Sequence, residues 1–213
     1  MQFKNFILSP DWDQDRRDTY KRFYDSIWND LEYLQFGLKI NKGDTVVDCG
    51  ASIGLFTNFA ANKDASKIIA IEASKDVYPY LKKNTLDASI TAVNGVVGPV
   101  GASYQVGDFE CAEEIYDLQR IFNDFNLEKI NFLKVDIENA EFGLFLTASD
   151  DLLSRIDQIA MEMHFCGPEQ LRIIFEYDWG FQIIDKLSAN GFVVNCKKIH
   201  LDTCCYNLYA KRI

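Results

Sequence analysis

The sequence predicts a doubly wound, mostly parallel α/β sheet, on three observations. Short apolar runs alternate with amphipathic stretches at helical spacing, a glycine-containing turn joins the first run to a helix, and the chain ends in two strand-like runs without a helix between them. Its 213 residues leave room for one ordinary domain and a short appendage. With 48% hydrophobic and 25% charged residues, the composition is that of a chain that folds.

Residues 1–40 read as a helical appendage and residues 41–213 as the main domain. From Asp13 to Leu34, Tyr20, Phe23, Tyr24, Ile27, Trp28, Leu31 and Leu34 recur at three- and four-residue spacing, which predicts one amphipathic helix packed against the main domain. After a turn at Asn41 to Gly43, Thr45 to Cys49 reads as a buried strand and Ile53 to Ala61 as a helix. A strand at Lys67 to Ile71 and a helix at Val77 to Leu86 come next. Strand-like pieces at Ile90 to Asn94 and Ala102 to Val106 lead to a helical stretch from Glu113 to Phe125. Ile130 to Ile137 is a strong strand, a helix begins near Glu141, and Ile156 to Met163 is a further strand. The tail holds a helix at Glu169 to Asn190 and two strands, Phe192 to Lys197 and Cys204 to Ala210, expected to pair as an antiparallel hairpin.

The charge balance narrows the partners. With 22 Lys and Arg against 32 Asp and Glu, the net charge of -10 counts against binding nucleic acid through its phosphates. The excess is localised: residues 108–178 hold 17 acids and 5 bases. Met1 to Asp15 lacks the basic end and apolar run of a secretory signal, and no apolar stretch approaches the roughly 18 residues of a membrane helix. A soluble, cytoplasmic protein without a membrane partner is the expectation. The six cysteines include no C-x-x-C pair, so neither a zinc ribbon nor a thioredoxin-type motif is expected.

The first strand runs into Asp48-Cys49-Gly50-Ala51-Ser52-Ile53-Gly54, a strand–turn–helix that presents backbone N–H groups and a helix start to a ligand. A dinucleotide site would read G-x-G-x-x-G, whereas this loop has Gly50 and Gly54 with Ser52 between them. Asp48 would repel a pyrophosphate and attract an ammonium or sulfonium, so the loop suits S-adenosylmethionine better than NAD. Glu72, 24 positions beyond Asp48 at the end of the second strand, falls where a carboxylate accepts hydrogen bonds from ribose hydroxyls.

On the fourth strand Lys134, Asp136 and Glu138 share one face by the two-residue period, at the carboxyl end where open parallel sheets bind ligands. Glu141 opens the next helix, where an acid is favourable for dipole reasons alone. The following strand ends with Glu162 and His164 on one face. Three readings stand. Asp136 faces the cofactor's methyl end while His164, the first choice, or Glu162 takes an acceptor's proton; the group holds a hard divalent cation such as Mg²⁺; or the residues are caps and solvated surface. No residue is assigned outright as a metal ligand.

Together, Asp48 to Gly54, Ile71-Glu72-Ala73-Ser74, Lys134 to Glu141 and Glu162-Met163-His164 resemble the FkbM family of methyltransferases, from about Thr45 to the end of the chain. The resemblance implies a Rossmann-like sheet of the class I methyltransferase type with an antiparallel last strand, S-adenosylmethionine as methyl donor, and a hydroxyl acceptor on a sugar or small natural product. By position it implies Asp48, Gly50 and Glu72 at the cofactor and Asp136 beside the methyl-transfer centre; Ser52 and Gly54 of the same loop, and Asp136, are expected to bind the cofactor with them. The family usually has Asn where Ser52 stands and Gly where Asn139 stands. Two other functions are weighed: a dinucleotide-dependent oxidoreductase, and a non-catalytic module that keeps the cofactor loop.

Overall fold

The computed structural model describes residues 2–101, 110–165, 177–199 and 205–213. The strand expected at Ala102 to Val106, the first part of the helix expected from Glu169, and Cys204 lie outside the described residues. The chain enters through a 3-10 turn, Phe3–Asn5, and helix α1 (Gln14–Trp28), capped by the Asp13 carboxylate, which accepts from Arg16 N–H. The helical spacing read as far as Leu34 does not continue as helix: Leu31 takes φ 53°, and Glu32–Leu34 forms a 3-10 turn. That break directs Tyr33 toward the sheet.

Seven strands form the main sheet: β1 (Thr45–Cys49), β2 (Lys67–Glu72), β3 (Ile90–Asn94), β6 (Phe132–Val135), β7 (Gln158–His164), β8 (Phe192–Lys198) and β9 (Cys205–Arg212). Their order is β3-β2-β1-β6-β7-β9-β8; β9 runs antiparallel to both neighbours, and the pairings among β3, β2, β1, β6 and β7 are parallel. The expected mostly parallel sheet with its antiparallel hairpin is therefore present. A second, two-stranded parallel sheet joins β4 (Val96–Val97) to β5 (Ile115–Tyr116). It corrects the single helix expected from Glu113 to Phe125: Asp117 accepts from Arg120 N–H at 2.7 Å and starts α4 (Leu118–Asp124) only after β5 has paired.

The remaining helices are α2 (Leu55–Ala61), α3 (Tyr78–Asn84), α5 (Glu141–Thr147), α6 (Asp150–Ser154) and α7 (Tyr177–Ala189). Alternation along the strands sorts the core into two layers. Val47, Ile69, Leu133 and Ile159 pack with Leu118, Phe122, Phe145 and Leu187 on one face. Val46, Ile68, Phe132 and Ala160 pack with Phe56, Phe59, Tyr24 and Ile27 on the other. The appendage thus shares a core with the sheet, and the Trp28 indole N–H donates to Leu55 O at 3.2 Å. No helix among the described residues is long and apolar enough to cross a membrane.

Candidate functional site

The site lies where β1, β2, β6 and β7 end and their chains turn away. The loop after β1 is held largely by its own backbone. Gly50 and Ala51 N–H both donate to Ile71 O, Ser52 N–H donates to a Glu72 carboxylate oxygen at 2.8 Å, and Gly54 N–H donates to Ala51 O. The expectation that this turn offers its N–H groups to a ligand is corrected accordingly, because those four donors already have partners.

The glycine requirement at 50 also has an internal cause. Gly50 has φ +77°, and a Cβ there would stand 1.8 Å from the Asp136 carbonyl oxygen. A side chain would collide with the end of β6 before it met any ligand.

Glu72, 8% exposed, holds two loops together. One oxygen accepts from Ser52 N–H and the other from Ser74 N–H at 2.7 Å. Burial pushes its carboxyl pKa up, opposed first by the Ser74 and then by the Ser52 hydrogen bond.

Asp48 is fully buried. Its carboxylate accepts from the Thr57 hydroxyl at 2.6 Å and faces Lys134 Nζ at 3.2 Å, so it binds the protein's own cation rather than opening toward a ligand. Lys134, noted in sequence only as sharing a face with Asp136, is the centre of this arrangement. Its ammonium donates to Gly50 O at 2.7 Å, lies 3.6 Å from Asp136 Oδ2 and sits 5.5 Å from the Tyr33 ring centroid. Burial works against its charge, but Asp48, followed by Asp136, outweighs burial and raises the pKa.

Asp136, Glu138, Glu162 and His164 come together as the strand period predicts. Past β6 the chain turns through two non-glycine residues of positive φ, Glu138 at 52° and Asn139 at 85°, a conformation Asn tolerates better than most side chains. His164 Nε2 lies 3.5 Å from Glu162, 3.8 Å from Asp136 and 3.9 Å from Glu138. The other ring nitrogen, Nδ1, is 3.0 Å from Glu141 Oε1, which also accepts the His164 backbone N–H at 2.6 Å. Glu141, at the start of α5, is therefore no mere dipole partner; it is fully buried and fixes the imidazole.

The electrostatics reassign His164. Burial disfavours its charge, yet the Glu141 hydrogen bond and the surrounding carboxylates raise its pKa to about 9. A proton on the imidazole is therefore held more tightly than on a free histidine, which argues against the expected role of His164 as the acceptor's base while that proton stays in place. Glu162 has its pKa raised by burial first and by Asp136 second, and its carboxylate accepts no hydrogen bond among the described residues.

Tyr33 went unnoticed in sequence because it belongs to the appendage, about 100 residues from its partner. Its hydroxyl donates to Asp136 Oδ2 at 3.1 Å, and its ring packs against Phe56. Tyr33→Phe is expected to cost about 1.5–3 kcal/mol, the range for a hydrogen bond to a charged group. Urea unfolding checks this, and an unchanged midpoint would contradict it.

Known proteins resemble this chain in one stretch of sequence and in fold. Residues 101–194 match the Methyltransferase FkbM domain, in agreement with the resemblance read from the sequence motifs. The match takes in Lys134, Asp136, Glu138, Glu141, Glu162 and His164, and begins after the loop that follows β1. No curated protein matches the sequence. Among solved structures, magnesium protoporphyrin IX methyltransferase from Synechocystis PCC 6803, with bound S-adenosylhomocysteine, aligns at TM-score 0.54 and 12% identity, covering 97% of this chain and 90% of that one. Precorrin-6y C5,15-methyltransferase from Geobacter metallireducens aligns at TM-score 0.53 and 11% identity, over 99% and 95% of the two chains. Fibrillarin from Aeropyrum pernix, bound to S-adenosylmethionine, aligns at 0.51 and 13%, over 84% and 71%. These likenesses are of fold, that of the class I methyltransferases.

Proposed function

We propose that the chain is an S-adenosylmethionine-dependent O-methyltransferase that acts on a hydroxyl of a sugar or other small natural product. The observation that carries this reading is the pair of acids flanking the loop after β1: Glu72 holds Ser52, and the Asp136 backbone lies against Gly50. The residues suit the donor. Each Glu72 oxygen takes one backbone N–H, which leaves acceptor capacity for the ribose hydroxyls. Asp136, half-buried at the rim, is the carboxylate placed for the donor's positive end, a role that enclosed Asp48 does not fit.

Bound there, S-adenosylmethionine supplies an activated methyl carbon with a neutral thioether as its leaving group. The chain's own work is to align the acceptor oxygen with that carbon, exclude water and take the hydroxyl proton. We assign the proton to Glu162, which accepts no other hydrogen bond among the described residues. Its carboxyl pKa, pushed up to about 8, makes it a base in its ionised form, so turnover should rise with pH through that value. His164, held by Glu141, positions Glu162 and Asp136.

Calorimetry with S-adenosylhomocysteine and methyl transfer from a labelled donor to a panel of sugar and small-molecule hydroxyls test the reading. Stabilisation by NAD and not by S-adenosylhomocysteine would sink it, and binding without turnover across the panel would indicate a non-catalytic module. Glu162→Gln should leave S-adenosylhomocysteine affinity unchanged and slow turnover about 100-fold or more, the scale of general-base catalysis. Unchanged turnover would remove Glu162 from the mechanism.

A further inference from the structure

We propose that Asp136, Glu138 and His164 form a binding site for one divalent first-row transition-metal ion of the Mn²⁺ type. Their ligating atoms, one carboxylate oxygen each from Asp136 and Glu138 and a ring nitrogen of His164, lie within 4.8 Å of one another. An ion with ligands at about 2.1 Å sets neighbouring ligand atoms about 3–4 Å apart. His164 Nε2 stands 3.8 Å from Asp136 Oδ1 and 3.9 Å from Glu138 Oε2, so modest side-chain shifts complete the triangle.

The imidazole is what separates this group from an ordinary acidic rim. The His164 side chain is 7% exposed, its Nδ1 is engaged by buried Glu141, and its Nε2 points among the carboxylates with no hydrogen-bond partner among the described residues. A carboxylate behind one ring nitrogen is the arrangement that orients a metal-binding histidine, and the ion takes its place at Nε2 by displacing the proton there to solvent. One nitrogen with two oxygens suits Mn²⁺, Fe²⁺ or Zn²⁺ better than an all-oxygen cation. Glu138, 61% exposed, lies on the solvent side, where an ion can enter, and the remaining coordination positions stay open. A hydroxyl coordinated there would lose its proton more readily.

The site does not depend on the methyl donor and is tested without it. Chelator-treated full-length protein is titrated with Mn²⁺ while the free ion is followed by electron paramagnetic resonance. The expected result is one Mn²⁺ bound per chain, with affinity reduced at least tenfold in Glu138→Gln and in His164→Ala, and about 10–100-fold in Glu141→Gln. Circular dichroism checks that each variant is folded; Glu138→Gln, at an exposed position, keeps the test decisive if the His164 variant unfolds. No loss of free Mn²⁺ at about 1 mM, a weak limit even for extracellular cation modules, would overturn the proposal. So would binding that survives unchanged in a folded Glu138→Gln. S-adenosylhomocysteine binding is measured in parallel, so that loss of Mn²⁺ binding alone counts against the ion site and loss of S-adenosylhomocysteine binding alone counts against the methyltransferase reading.

Discussion

Lys134→Met is expected to destabilise the protein by about 3–5 kcal/mol, because removing one partner of a buried ion pair leaves the other charge without compensation. For a chain of this size that lowers Tm by about 6–20 °C. The stranded group is Asp48, fully buried and left with only the Thr57 hydroxyl. The Gly50 carbonyl would lose its ammonium donor in the same step. Exposed pairs such as Lys42–Asp64 give no such effect, since water screens both partners. Asp48→Asn combined with Lys134→Met removes both charges, keeps an acceptor for Thr57 and should recover more than half of the loss. Thermal unfolding decides: a single variant as stable as the parent, or a double variant no better than the single, would contradict the account.

Glu72→Ala should abolish S-adenosylhomocysteine binding and also weaken the fold. The loss of binding comes from the proposed ribose contact. The loss of stability comes from the two loops that Glu72 ties together, because Ser52 and Ser74 N–H would both lose their acceptor, at about 1–3 kcal/mol for each donor left buried without a partner. Glu72→Gln keeps one acceptor oxygen and should retain more stability than the alanine variant. Calorimetry and thermal unfolding report the two effects separately. Micromolar binding retained by a folded Glu72→Ala protein would remove Glu72 from the cofactor site, and unchanged Tm would remove it as the tie between the two loops.

The backbone order was largely legible because burial imposes periodicity. Thr45–Cys49 and Ile90–Asn94 appear with the bounds read from the sequence, since each is a short apolar run between turn residues. Errors fall where local contacts compete with pattern. The apolar spacing of α1 continues past Trp28, but the turn at Leu31 takes Tyr33 out of the helix and onto Asp136. Likewise Ile115–Tyr116 leaves the expected helix because it pairs with Val96–Val97.

The sequence by itself determined which residues share the rim. Period-two alternation puts Lys134 with Asp136 and Glu162 with His164, and the parallel order of β1, β6 and β7 brings their ends together. What each group does was decided only by the tertiary structure. Asp48 reads as open to a ligand cation, but the neighbouring strand places Lys134 beside it; His164 reads as a base until Glu141, Asp136 and Glu162 surround it. Gly50 reads as room for a ligand until the end of β6 lies against it. The physical reason is common to all three. Facing direction is set by local backbone geometry, whereas protonation, accessibility and free volume depend on which distant groups lie within a few ångströms.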